Sequence, residues 1–168
     1  MSTIKAVVFD WGDTIMRDFP EFKGPMAFWP RVELVPGARE ALEQLHQRFV
    51  CCVASNAGDS DAELMGRALE RSGIRQYFQA LYTSRELGFT KPEPVFFQEI
   101  LNRLGVEPSA CVMVGNDYDK DIIPAKAVGM RTIWFSPSDP VSESMPGADA
   151  VIHEMRDLAA AVDSLRAL

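Results

Sequence analysis

Residues 6–15 read AVVFDWGDTI, four apolar residues that run straight into an acid and then break with a glycine. Such a run suits a strand buried on both faces, where the usual alternation of apolar and polar positions disappears. A carboxylate at the end of a buried strand asks for a reason beyond packing, which makes Asp10 the first candidate functional residue.

Working outward, runs of the same kind recur at residues 4–9, 49–54, 80–82, 111–114 and 132–135, with a last short one at Ala150–Ile152. Amphipathic helical patterns lie between them. Ala38, Ala41, Leu42 and Leu45 follow i, i+3, i+4, i+7 spacing after Pro36-Gly37, and Phe97, Ile100, Leu101 and Leu104 repeat it before Gly105. Leu64, Met65, Ala68 and Leu69 form another such face, with Asp59 or Ser60 as the expected cap and Gly73 as the stop. Residues 121–128 read as a fourth helix with Pro124 in its first turn, and Leu158, Ala161, Val162 and Leu165 as a fifth. Alternating β and α units with right-handed crossovers predict an α/β fold: a doubly wound, Rossmann-like parallel sheet flanked by helices, one domain over residues 1–168. The Pro/Ser-rich stretch 136–147 reads as a loop.

In such a sheet ligands bind beyond the carboxyl ends of the strands. Asp10, Ser55-Asn56 and Asn116-Asp117 each follow an apolar strand directly, so three strands deliver polar groups to one edge. Asp10, Asp117 and Asp121 repel one another unless a cation joins them or their pKa values rise. All-oxygen ligands favour a hard cation, and Mg²⁺ is the usual choice beside phosphate. Lys91, before Pro92 at a helix start, supplies a positive charge, and the Ser55 hydroxyl with the amides after it suits an anion. Together these groups suit phosphoryl transfer, with Asp10 as the nucleophile.

The motifs VVFDWGDT at 7–14, VASN at 53–56, Lys91-Pro92 in GFTKPEP and VGNDYDKD at 114–121, followed by AKAVGM, stand in the order found in the haloacid dehalogenase-like (HAD) hydrolases. The chain resembles that superfamily over nearly its whole length. The resemblance implies catalytic roles for Asp10 as nucleophile, Ser55 as phosphate-binding hydroxyl and Lys91 as stabilising cation. It implies substrate contacts from Ser55, Asn56 and Lys91, and Mg²⁺ held by Asp10, the carbonyl of Gly12, Asn116, Asp117 and Asp121, with Asp121 ranked first among the last three.

The chain departs from the family pattern in three places. Phosphatases of the family carry an acid two residues after the nucleophile, which protonates the leaving group; here that residue is Gly12, and Asp13 reads as a structural acid of the turn. Asn116 replaces the first acid of the metal loop. The segments 15–35 and 56–90 are too short for the customary cap insertions, so the site is expected to be open, suited to a phosphorylated and even large substrate, or closed by a second copy in a homo-oligomer. Residues 15–35 hold Phe19, Phe22, Phe28 and Trp29, which read either as packing or as the lining of a substrate mouth. The expected function is a Mg²⁺-dependent phosphatase; the alternatives are a degenerate member that binds a phosphorylated ligand, or non-phosphate hydrolysis.

Charge and composition exclude other classes. Twenty-four acids against seventeen bases give a net charge of −7, with no basic stripe for nucleic acid. No apolar stretch approaches membrane-spanning length, and the N-terminus shows no signal pattern, so a cytoplasmic protein is expected. Cys51, Cys52 and Cys111, inside apolar runs, read as reduced core thiols. His46 and His153 read as surface or helix-end residues.

Overall fold

Six parallel strands form one sheet in the order β3-β2-β1-β4-β5-β6, in a computed structural model that describes residues 3–139 and 144–166. They are β1 (Ala6–Phe9), β2 (Val50–Ser55), β3 (Ala80–Thr83), β4 (Cys111–Gly115), β5 (Arg131–Phe135) and β6 (Ala150–Ile152). The α/β class and the doubly wound order are as the sequence predicts. Of the expected loop 136–147, residues 140–143 lie outside the described residues.

The strands are apolar on both faces because both faces are covered. Val7, Phe9, Cys51, Val53, Val112 and Val114 point to one side, where they meet α1 (Ala38–Leu45), α2 (Ala62–Arg71) and α6 (Leu158–Leu165). Ala6, Val8, Cys52, Ala54, Cys111 and Met113 point to the other, against α4 (Pro94–Leu104) and α5 (Ile123–Ala127). All three cysteines are free and buried, and burial pushes each thiol up to about 12. Among the described residues no helix is long and apolar enough to cross a membrane.

Two local expectations are corrected and one further helix appears. The cap of α2 is Asp61, whose side chain accepts from the Leu64 amide at 2.9 Å; Asp59 and Ser60 sit too early to reach that third helical residue. A short helix, α3 (Ser84–Leu87), lies between β3 and Lys91, capped by Thr83 and ended by Gly88. The helix expected over 121–128 is a π turn at Tyr118–Ile122 followed by α5, because Pro124 lacks the N–H that would carry an α-helical ladder back across the turn.

Residues 15–35 contain one 3-10 turn, Met26–Phe28, and two isolated bridges, Gly12 to Met16 and Met16 to Leu34. Phe19, Phe22 and Trp29 stack edge-on against one another, with ring centroids 5.5 Å and 5.6 Å apart for Phe19–Phe22 and Phe22–Trp29. Arg71 of α2 donates to the carbonyls of Ala27 at 3.0 Å and Trp29 at 2.8 Å, tying the segment to the body. Packing accounts for these three aromatics, whereas Phe28 is 66% exposed.

The end of β4 is crowded by the π turn. A Cβ at Gly115 would lie 2.3 Å from Oδ2 and 2.5 Å from Cβ of Asp121, a carboxylate with no exposed surface. No rotation of Asp121 relieves a clash with its own Cβ, so the turn itself would have to move. Gly115→Ala should therefore lower stability by about 2 kcal/mol or more, read as a shift of the urea unfolding midpoint at unchanged m-value.

Candidate active site

The strand order reverses between β1 and β4, since β1 runs on to β2 and β3 on one side and the chain returns to β4 on the other. That switch point leaves a crevice beyond the strand ends. Asp10 follows β1, Ser55 ends β2, and Asn116 and Asp117 follow β4. Lys91 arrives from the crossover after β3, held by Asn56: the Asn56 amide accepts from the Lys91 N–H at 2.8 Å and donates to the Lys91 carbonyl at 3.1 Å. Both ends of the Asn56 side chain are thus spent on Lys91, although the sequence reading placed Asn56 on substrate.

Lys91 is 5% exposed and bridges two acids, with Nζ 2.8 Å from Asp10 Oδ1 and 2.7 Å from Asp121 Oδ1. Burial alone would push the ammonium down, but the Asp10 and Asp121 carboxylates more than offset it and hold Lys91 above its ordinary value. Burial raises Asp121 to about 6, with Lys91 opposing and Asp10 adding to the rise. At pH 7 the pair is therefore ionised. An ammonium carries three donors, and two of them serve Asp10 and Asp121.

The other oxygen of Asp10 faces a different neighbour. Thr14 Oγ1 lies 3.2 Å from Asp10 Oδ2 and 3.1 Å from Asn116 Oδ1, so one hydroxyl proton serves two acceptor oxygens. The Gly12 carbonyl belongs to the same loop. Asp117 is turned to its own backbone, accepting from the Lys120 amide at 3.0 Å, and its N–H donates to Asp121 Oδ2 at 3.1 Å. Asp121 thus has one oxygen on Lys91, the donor it shares with Asp10 Oδ1, and the other on Asp117, whereas Asn116 shares the Thr14 hydroxyl with Asp10 Oδ2. Among the described residues no three acidic, histidine or cysteine side chains converge as a ready-made cage. The oxygens at hand are a carboxylate, an amide and a backbone carbonyl, a hard donor set of the kind Mg²⁺ takes when substrate and water complete its shell. The residues present fit that ion.

A cleft of about 320 Å³ opens between the loops after β1 and β2, lined by Trp11, Gly12, Asp18, Ser55 and the inner edge of the aromatic segment at Met26 and Trp29. Ser55 Oγ accepts from the Ala57 amide at 3.0 Å, and Ala57 itself adopts φ 56°. A larger groove of about 950 Å³ runs along the ends of β5 and β6 and meets the motif loops only at Asp13 and Asn116. His153 lies there with Nδ1 2.8 Å from the Ser136 carbonyl, and His46 stacks on Tyr77 beyond α1.

Asp13 sits in the left-handed region at φ 59°, and its Oδ1 accepts from the Asp18 amide at 3.0 Å. The turn it holds carries Asp18 back to the cleft. Partial burial, Asp13 and Asp10 raise the Asp18 carboxyl above its ordinary value, in that order. Neither Thr14 nor Asp18 was among the expected site residues. The available signal for Thr14 was a hydroxyl four residues after Asp10 inside a tight turn; for Asp18 there was none short of the folded loop.

A family model described as haloacid dehalogenase-like hydrolase matches residues 12–129. The chain is 37% identical over 128 residues to a ribulose-1,5-bisphosphate 5-phosphatase of Halopiger xanaduensis, covering 76% of this chain and 52% of that protein. It is 30% identical over 132 residues to a phosphoserine phosphatase of Thermus thermophilus, covering 76% and 51% respectively. The chain spans about half the length of these curated relatives. Its fold is similar to that of an uncharacterized protein from Listeria monocytogenes serotype 4b, with TM-score 0.85 and 29% identity, covering 98% of this chain and 100% of that one. The matched span takes in Ser55, Lys91 and the 116–121 loop, and the chain belongs to the haloacid dehalogenase-like hydrolases.

Proposed function

We propose that the chain is a Mg²⁺-dependent phosphatase that works through an aspartyl phosphate on Asp10, acting on phosphate esters of small-molecule size. The carrying observation is the arrangement around Lys91: a buried ammonium fixed against Asp10 with one N–H left over. That donor suits a phosphoryl oxygen beside the Asp10 carboxylate. The curated relatives, named as phosphatases of phosphorylated small molecules, support the same reaction class.

In this reading the two oxygens of Asp10 divide the work. Oδ2, on the Thr14 and Asn116 side, would hold the metal together with Asn116 and the Gly12 carbonyl, with Asp117 close by. Oδ1, on the Lys91 side, attacks phosphorus. When bound, Mg²⁺ supplies positive charge against the phosphoryl oxygens and Asp10. Lys91 neutralises charge that develops on the equatorial oxygens, and the Ser55 hydroxyl turns from its own loop to donate to another. Asp121 holds Lys91 in place, and Asn56 acts through the Lys91 main chain. The attack forms a bond from Asp10 oxygen to phosphorus and expels the alcohol oxygen; water then cleaves the aspartyl phosphate and returns the carboxylate. Substrate enters through the 320 Å³ cleft, within the size range of small-molecule sites.

Gly12 favours a second reading, a binding protein that holds a phosphorylated ligand with little turnover, because position 12 itself supplies no acid. Release of p-nitrophenol from p-nitrophenyl phosphate separates the two. The phosphatase reading expects turnover that EDTA removes and that Asp10→Asn lowers by at least about 10³-fold with unchanged circular dichroism. A folded, Mg²⁺-binding wild type without turnover moves the weight to the binding reading.

Thr14→Val should keep the fold, since Val matches the shape of a fully buried residue, at a cost of about 1 kcal/mol for the lost hydrogen bond. With no hydroxyl between Asp10 Oδ2 and Asn116 Oδ1, the two oxygens lose their common anchor. The Mg²⁺ concentration for half-maximal turnover should rise, and an unchanged Mg²⁺ titration would remove Thr14 from the metal side of the site.

A further inference from the structure

Expelling an alcohol from a phosphate ester leaves an oxygen that needs a proton, and hydrolysis of the acyl phosphate needs a group that takes one from water. Most carboxylates near Asp10 are occupied. Asp10 and Asp121 hold Lys91, Asp117 accepts from Lys120, and Asp13 accepts from the Asp18 amide. Neither histidine lines the cleft beside Ser55.

Asp18 differs from all of these. It lines the same cleft as Gly12 and Ser55, and among the described residues its carboxylate has no hydrogen-bond donor or ion-pair partner. It stands where a side chain at position 12 would project: a Cβ built on Gly12 would lie 3.5 Å from Asp18 Cβ and 3.8 Å from Asp18 Oδ2. These are ordinary contact distances, so the two positions face one small volume without overlap. Asp13 fixes the main chain of residue 18 through the 3.0 Å hydrogen bond to its amide, which makes Asp13 a positioning residue. Asp59 also borders the cleft, on the loop after β2, but the three atoms nearest a Cβ at Gly12 all belong to Asp18.

We propose that Asp18 is a catalytic residue, the proton donor to the leaving oxygen and the proton acceptor from water, supplied from a loop six residues beyond Gly12. The proposal rests on the aspartyl-phosphate reading of Asp10. As the Asp10 oxygen bonds to phosphorus, the ester P–O bond breaks, its electron pair stays on the departing oxygen, and the Asp18 proton completes the alcohol. The Asp18 carboxylate then takes a proton from water as the water oxygen bonds to phosphorus. The Asp10–phosphorus bond breaks, its electron pair returns to Asp10, inorganic phosphate leaves, and Asp18 is again protonated. Asp18 is exposed on its outer side, so proton exchange with solvent is unobstructed.

The test compares two esters whose leaving groups differ in their need for a proton. In kcat/KM, which reports the step that expels the phenol, 2,4-dinitrophenyl phosphate needs little help and phenyl phosphate needs much. Asp18→Asn should lower kcat/KM about 10²-fold on phenyl phosphate and less than about 10-fold on the dinitrophenyl ester. Asp10→Asn should lose both alike. A structural role for Asp18 would depress both esters equally, so equal losses, or wild-type rates on phenyl phosphate, overturn the proposal. An Asp10→Asn enzyme that keeps wild-type rates overturns instead the aspartyl-phosphate reading on which it rests.

Discussion

A single ammonium, almost out of water between two carboxylates, is the constraint on which the rest of the site depends. Burying Lys91 costs several kcal/mol, and the attraction of Asp10 and Asp121 repays that only with close geometry on both sides. The chain meets the condition with parts distant in sequence. β1 ends where Asp10 can reach Nζ, Asn56 clamps the Lys91 main chain from the end of β2, and the π turn brings Asp121 in from the far side. Gly115 makes the last of these fit, because the Asp121 side chain lies in the space that any side chain at 115 would take. Two carboxylates against one ammonium leave the cluster short of positive charge. That shortage is what a cation on the Asn116 side would relieve.

The polarity of Asp10 follows from the same arrangement. With Oδ1 committed to Lys91 and Oδ2 to the Thr14 and Asn116 side, the carboxylate cannot rotate freely. Under the proposed reaction, a carboxylate held by both oxygens has little orientational freedom to lose in reaching an attack geometry, which is where much of the advantage of a preformed site lies. Ser55 contrasts with it: among the described residues its hydroxyl oxygen takes only a local hydrogen bond, from the Ala57 amide, so the hydroxyl keeps the freedom to turn to a ligand.

The fold was legible because it is written in short-range patterns. Apolar runs without alternation marked the buried strands, and 3.6-residue spacing marked α1, α2, α4 and α6. Positions of Asp10, Ser55 and Asn116 followed from where those runs stop, and that of Lys91 from the Lys-Pro pair at a helix start. What escaped has a common cause, contact between residues whose spacing carries no period. The sequence GDSDAEL offers three acid or hydroxyl caps in a row, and only the third reaches Leu64. The 116–121 loop reads equally well as a metal loop or as a capped helix start, and the inward pull on Asp121 decides how its carboxylates are shared. Thr14 looks like one more turn residue until the loop closes over it, with the Trp11 carbonyl accepting from the amides of Thr14, Ile15 and Met16.

Gly12 shows why a local departure from a motif need not remove a function. Were position 12 an acid while Asp18 kept its place, the new side chain would begin 3.8 Å from an existing carboxylate oxygen. A second carboxylate reaching into that space would be repelled by Asp18 whenever both are ionised. Asp10 and Asp13 add to that field, and among the described residues no lysine or arginine lines the cleft. The two positions are therefore alternatives for a carboxylate facing one small volume, and the loop that Asp13 fastens has brought one there. A glycine at 12 is then the residue that keeps the volume open for it.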